Sequence, residues 1–121
     1  MSTSNKDILR QANAAVLAGD NEGFLALCAD HIEWATVGGG TIHGKDAVRA
    51  WMKAEYTQPP RFSVHHMIAE DDHVVAVGDI EARDASGKPS THAYCDVWRF
   101  SAGKMVELKA YVIDLAPPIN E

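Results

Sequence analysis

Hydrophobic positions recur at helical spacing in the first half of this chain and alternate in the second half. From Ser4 to about Ala18, Ile8, Ala12, Ala15 and Val16 fall on one helical face. Ser4 and Asp7 are spaced as a capping box, and Gly19 supplies the stop. Asp20 is placed to cap a second, short helix carrying Phe24, Leu25, Leu27 and Cys28. His31 to Val37 predicts a short strand with Ile32, Trp34 and Thr36 on one face. The glycines at 38–40 read as a flexible turn, after which Thr41 to His43 adds a few strand residues. Lys45 to about Tyr56 predicts a third helix, with Val48, Trp51, Met52 and Tyr56 at helical spacing, and Pro59-Pro60 breaks the chain.

Beyond the prolines the period changes to two. Phe62 to Glu70, His73 to Arg83, His92 to Phe100 and Gly103 to Asp114 predict four long strands. The turns fall at Asp71-Asp72, at Asp84 to Lys88 and at a tight Ser-Ala-Gly corner. Helices followed by an antiparallel meander predict an α+β domain with the helices on one face of a curved sheet. In the last strand Val106, Leu108, Ala110 and Val112 alternate with Glu107, Lys109 and Tyr111, so the apolar set faces the helices and Asp114 ends it. In the preceding strand His92, Tyr94, Asp96 and Trp98 share one face, and Ala93, Cys95, Val97 and Arg99 the other. Hydrophobicity alone allows either face inward.

Composition narrows the partners. At 121 residues, with 46% hydrophobic and 23% charged residues, the chain is expected to be one domain, 1–121, of an ordinary globular type. A net charge of −6, without any Lys/Arg cluster, disfavours a nucleic-acid partner. The apolar runs are too short to span a bilayer, and MSTSNKDILRQ lacks the apolar core of a signal peptide, so a cytoplasmic protein without a membrane partner is expected. Cys28 and Cys95 read as reduced thiols. There is no HExxH, CxxC or phosphate-binding glycine loop. His65 and His66, adjacent on a strand, are expected to face opposite ways. No metal and no cofactor is therefore expected.

The segments GDNEGFLALCADHIEW, IHGKDAVRAWM and CDVWRFSAGKMVELKAYVID resemble the nuclear transport factor 2-like superfamily, nearest to its SnoaL-like and ketosteroid isomerase-like members. The resemblance runs over nearly the whole chain. It implies a cone-shaped, strongly curved antiparallel or mixed sheet with about three helices on its concave face. It matches Asp96 in CDVWRF to the isomerases' carboxylic acid, which turns His92, Tyr94, Asp96 and Trp98 toward the cone. The isomerase's base falls near Thr36 and its phenol near Ala12, so steroid isomerisation by that route is not expected. Against epoxide hydrolases, Glu81 stands where one acid belongs, Asp79 at the neighbouring Arg position, and Ala110 in place of the second acid.

On the His73 strand the two arguments conflict. Hydrophobicity favours Val74, Ala76, Gly78, Ile80 and Ala82 inward, whereas the resemblance places Val77, Asp79 and Glu81 there. The second assignment is adopted as the expectation. The expected pocket is then lined by Val16, Trp34, Thr36, Trp51, Tyr56, Asp79, Glu81, Trp98, Leu108 and Val112. Asp96 is the expected acid or base, assisted by Tyr94 and His92. The expected ligand is a small hydrophobic metabolite, either turned over by cofactor-independent acid–base chemistry or only bound. On the outer face Val97, Tyr111 and Ile113 are too apolar for water, and relatives of this fold commonly pair there, so a homodimer is expected.

Overall fold

A computed structural model describes residues 4–56, 58–83 and 87–114, with only the backbone of Ala82 and Arg83. The expected turn at Asp84 to Lys88 lies largely outside the described residues. Three helices come first in the chain, α1 (Asn5–Leu17), α2 (Asn21–Leu25) and α3 (Lys45–Glu55). Strands β1 (Cys28–Thr36) and β2 (Thr41–His43) separate α2 from α3. Strands β3 (Arg61–Glu70), β4 (His73–Arg83), β5 (Pro89–Ser101) and β6 (Lys104–Asp114) follow. They form one mixed sheet in the order β2-β1-β6-β5-β4-β3. Every neighbouring pair is antiparallel except β1 and β6, which run parallel. The sheet curls around the helices, as expected of an α+β cone. Among the described residues no helix is long and apolar enough to cross a membrane.

The caps form where the sequence placed them. Ser4 Oγ accepts from the Asp7 backbone N–H at 3.2 Å, and Asp20 Oδ1 accepts from the Gly23 N–H at 2.9 Å. The Asp7 carboxylate turns instead to Arg10, at 2.8 Å. Leu9, Ala12, Phe24, Leu25, Val48 and Met52 from the helices bury against Val74, Trp98, Met105 and Leu108 of the sheet. Cys28 is buried and Cys95 partly so, and both are free thiols.

Register shifts interrupt β1 between Cys28 and Glu33, and β3 and β6 as well. Arg99 pairs with Glu107 and Phe100 with Met105, leaving Val106 as an extra residue on β6. Met105 and Val106 are consequently both buried, which strict alternation forbids. On β3 the register shifts between Val64 and His66. His66 then pairs with outward-facing Val77 while His65 reaches outward-facing Asp79 at 3.3 Å. The expectation that the two histidines face opposite ways is corrected: the bulge suspends the alternation on which it rested.

The register of β4 overturns the adopted face assignment. Ala76 pairs with Asp96, Gly78 with Tyr94 and Ile80 with His92. Directly paired residues share a face, so Val74, Ala76, Gly78 and Ile80 are the inner set. Asp79 pairs with Ala93 on the outer face, half exposed with 48% of its side-chain surface open. Hydrophobicity was the sounder guide, because that face has to cover the core.

At Gly78 the backbone of β3 lies where a side chain would have to be. A Cβ there would lie 1.8 Å from the Ser63 carbonyl oxygen on β3 and 3.1 Å from the Tyr94 ring. Gly78→Ala is therefore expected to push β3 away and destabilise the domain by about 2 kcal/mol. Chemical denaturation of the variant checks this, and an unchanged midpoint contradicts it.

Candidate functional site

The helices and the curled sheet enclose a cavity of about 740 Å³. Its floor follows from side-chain size along the paired strands. Asp96 on β5 has Ala76 on one side and Ala110 on the other, and Tyr94 has Gly78 beside it. Four large side chains at these places would fill the space; an acid, two alanines and a glycine leave it open. The walls are aromatic. Trp34 stands 5.2 Å from Trp51 between ring centroids, and Trp51 stands 5.3 Å from Tyr56. Trp34 also meets Trp98 edge-on at 6.1 Å, and Phe62 meets Tyr94 at 6.5 Å.

Of the residues expected at the site, all but Asp79 line this cavity. Val16 comes from α1, Trp51 from α3 and Tyr56 from its C-terminal cap. Trp34 and Thr36 come from β1, where they pair with Leu108 and Ala110 of β6. Trp98, Tyr94 and His92 join Asp96 on β5, and Val112 completes the β6 side. Glu81 borders the opening even though its register belongs to the outer set with Asp79. Ala12, at the place of the isomerase phenol, is fully buried in the core. Asn13, Glu55, Arg61 and Phe62 also line the cavity and were not anticipated. Phe62 was open to inference, since it alternates with Val64 on β3; Asn13 was not, because its neighbours Ala12 and Val16 carry the helix's apolar signal.

Asp96 is the chemically distinctive group. It makes no hydrogen bond or ion pair among the described residues, and burial pushes its carboxyl up to about 7. A group so placed is neutral or charged in comparable measure near neutrality, which suits either donation or acceptance of a proton. Burial also raises the Tyr56 and Tyr94 phenols to about 12, and the charge of Asp96 adds to both shifts. Both phenols therefore stay protonated and can donate hydrogen bonds into the cavity.

His92 is separated from this centre. It lies four residues from Asp96 along β5, about 13 Å at strand rise, and so cannot share a proton with it directly. Its Nδ1 sits 2.7 Å from Asp114 Oδ1 and its Nε2 3.0 Å from Ser90 Oγ. Among the described residues no group of three or more His, Cys, Asp or Glu is arranged to hold a metal ion.

The raised value for Asp96 has a stability consequence. In the unfolded chain the carboxyl ionises near its ordinary 3.8, but in the fold only near 7. The folded state holds the proton more tightly, so this contribution is complete below pH 3.8 and is lost as pH rises to 7. Asp96→Asn, neutral throughout, should gain stability relative to the parent across that interval and show a constant advantage above it. Denaturation at a series of pH values measures the difference; a flat difference contradicts the raised value.

Comparison with known proteins agrees with the architecture. The model of the SnoaL-like domain matches residues 9–108. Comparison with curated proteins finds no match. Among solved structures, an NTF2-like protein of unknown function from Burkholderia pseudomallei superposes with a TM-score of 0.81 at 25% identity, covering 90% of each chain. TerC, co-crystallised with polyporic acid, gives 0.77 at 22% identity over 88% of each chain. A Mycobacterium tuberculosis protein in complex with estradiol-17beta-hemisuccinate gives 0.78 at 20% identity, covering 87% of this chain and 90% of that one. The cone, its order of elements and the family match agree: this chain belongs to the SnoaL-like domain family, with the nuclear transport factor 2-like fold.

Proposed function

We propose that this protein binds a flat, largely apolar small molecule bearing an oxygen function, and moves a proton to or from that molecule through Asp96 without a cofactor. The observation that carries the reading is a carboxyl without a partner among the described residues, on a floor of small residues inside an aromatic-walled cavity of about 740 Å³. Aromatic walls favour flat rings. The acid, titrating near 7, is matched to a carbonyl or enol oxygen, where charge develops during isomerisation, cyclisation, dehydration or hydration. Tyr94 and Tyr56 are the accompanying hydrogen-bond donors. Two related folds crystallised with polyporic acid and with estradiol-17beta-hemisuccinate, both oxygen-bearing ring compounds, give the ligand class further support.

Binding without turnover is the second reading. It is favoured by Thr36 and Ala12, which stand where the isomerases carry a base and a phenol and leave Asp96 without a second strong proton-transfer group close by. Native mass spectrometry of freshly purified protein, followed by incubation with the ligand it retains, separates the two. Asp96→Asn should cut turnover at least 100-fold while ligand is still retained. Retention by both proteins with no product from either leaves the binding reading. Ala110→Leu, which fills the floor beside Asp96, should abolish retention; retention equal to the parent overturns the pocket itself.

We also propose that the outer sheet face pairs two copies of the chain. Val75, Val77, Val97, Tyr111 and Ile113 form a nearly continuous apolar stripe there, and Ile113 is 63% exposed in the single chain. Ile113→Glu, which sets a charge within the stripe, should shift the mass found by light scattering from dimer to monomer. A parent protein that is monomeric at micromolar concentration removes the proposal.

A further inference from the structure

His92 lines the cavity away from Asp96, and Ser90 and Asp114 are linked to it in series. Ser90 and His92 are two residues apart on β5 and share a face; His92 and Asp114 are paired across β5 and β6. The links are 3.0 Å from Ser90 Oγ to His92 Nε2 and 2.7 Å from His92 Nδ1 to Asp114 Oδ1. An ionised Asp114 has only lone pairs to offer, so Nδ1 carries the proton. In neutral imidazole that leaves the Nε2 lone pair toward Ser90, whose hydroxyl donates to it. A hydroxyl so held is polarised by a base that is itself oriented by a carboxylate, which is the arrangement that activates a nucleophile.

The position suits a substrate of defined shape. His92 lines the cavity, only 20% of its side chain being exposed, while Asp114 is 87% exposed. Arg61, at the start of β3, borders the same cavity and makes no ion pair among the described residues. By register it lies on the rung of Glu81 and Thr91, and Thr91 lies between Ser90 and His92.

We propose that the cavity mouth is a second reactive site, in which Ser90 is an acyl acceptor for carboxylic esters whose apolar part occupies the cavity. Ser90 Oγ attacks the ester carbonyl carbon and its proton passes to His92 Nε2. The bond from that carbon to the alcohol oxygen breaks, and the leaving alcohol takes the proton from Nε2. Water then repeats the sequence on the acyl-serine, releasing the carboxylic acid and restoring Ser90. Asp114 is a positioning residue, acting only through the imidazole. The site does not depend on the role given to Asp96.

The test treats the full-length protein with an alkyl fluorophosphonate, which forms a Ser–O–P bond and releases fluoride with the serine proton. Intact-mass measurement should find one adduct per chain, and peptide mapping should place it on Ser90. Ser90→Ala should carry none. His92→Gln and Asp114→Asn should label at least tenfold more slowly, and Asp114→Glu, which keeps the acceptor, should recover part of the rate. Ser101→Ala, on the same strand beyond the cavity, should label as the parent does. Thermal melting of each variant, read alongside, identifies any that is unfolded, and if Asp114→Asn is, His92→Gln carries the test of the relay. No adduct, an adduct elsewhere, or equal labelling of parent and Asp114→Asn overturns the proposal.

Discussion

Curling a sheet around helices requires its concave face to be covered, and the covering residues need not be large everywhere. Around the middle of β5 they are small. Ala76 and Ala110 flank Asp96, and Gly78 lies beside Tyr94. Farther down the same strand Trp98, between Val74 and Leu108, is packed against the helices. One end of the cone is thus a solid core and the other a hollow. The difference is produced by side-chain volume along one set of strands, with the backbone architecture unchanged.

The hollow sets the electrostatics. Aromatic and aliphatic walls give a carboxylate little to replace water, and Asp96 has no cation or donor among the described residues. Its proton is held because ionisation there is costly, and no neighbouring charge is needed to explain the shift. At the mouth the opposite holds. His92, Ser90 and Asp114 are joined by short polar contacts in a partly solvated setting. The pocket therefore has a partly buried acid at its floor, without a hydrogen-bond partner among the described residues, and a hydrogen-bonded chain beside His92, about 13 Å away along β5.

Most of the fold was legible because burial leaves a periodic trace. The three helices, the strands and the inward turn of Leu108, Ala110 and Val112 follow from spacing, except that Leu27 and Cys28, read onto the second helix, lie beyond it and Cys28 opens β1 ahead of the expected His31. The β4 face was misassigned because the likeness to relatives was preferred to the local alternation of Val74, Ala76, Gly78 and Ile80. At His65 and Val106 alternation itself failed, since a bulge inserts one residue and shifts the count. Nothing in a strand's composition marks such a residue in advance. Asn13 and Arg61 were missed for a related reason: polar residues on elements read for their apolar face carry no periodic signal.

The sequence by itself determined the α+β class, the order of elements and the identity of Asp96 as the exceptional carboxyl, because these depend on local spacing and on one recognisable stretch, CDVWRF. Tertiary structure alone decided which residues stand beside it. Register across β3, β4, β5 and β6 moved Asp79 outside, placed alanines around Asp96 and brought Asp114 to His92 across 22 positions of chain. Such neighbours are chosen by hydrogen bonding between strands distant in sequence. A pattern read along one strand holds no information about which residue will lie opposite.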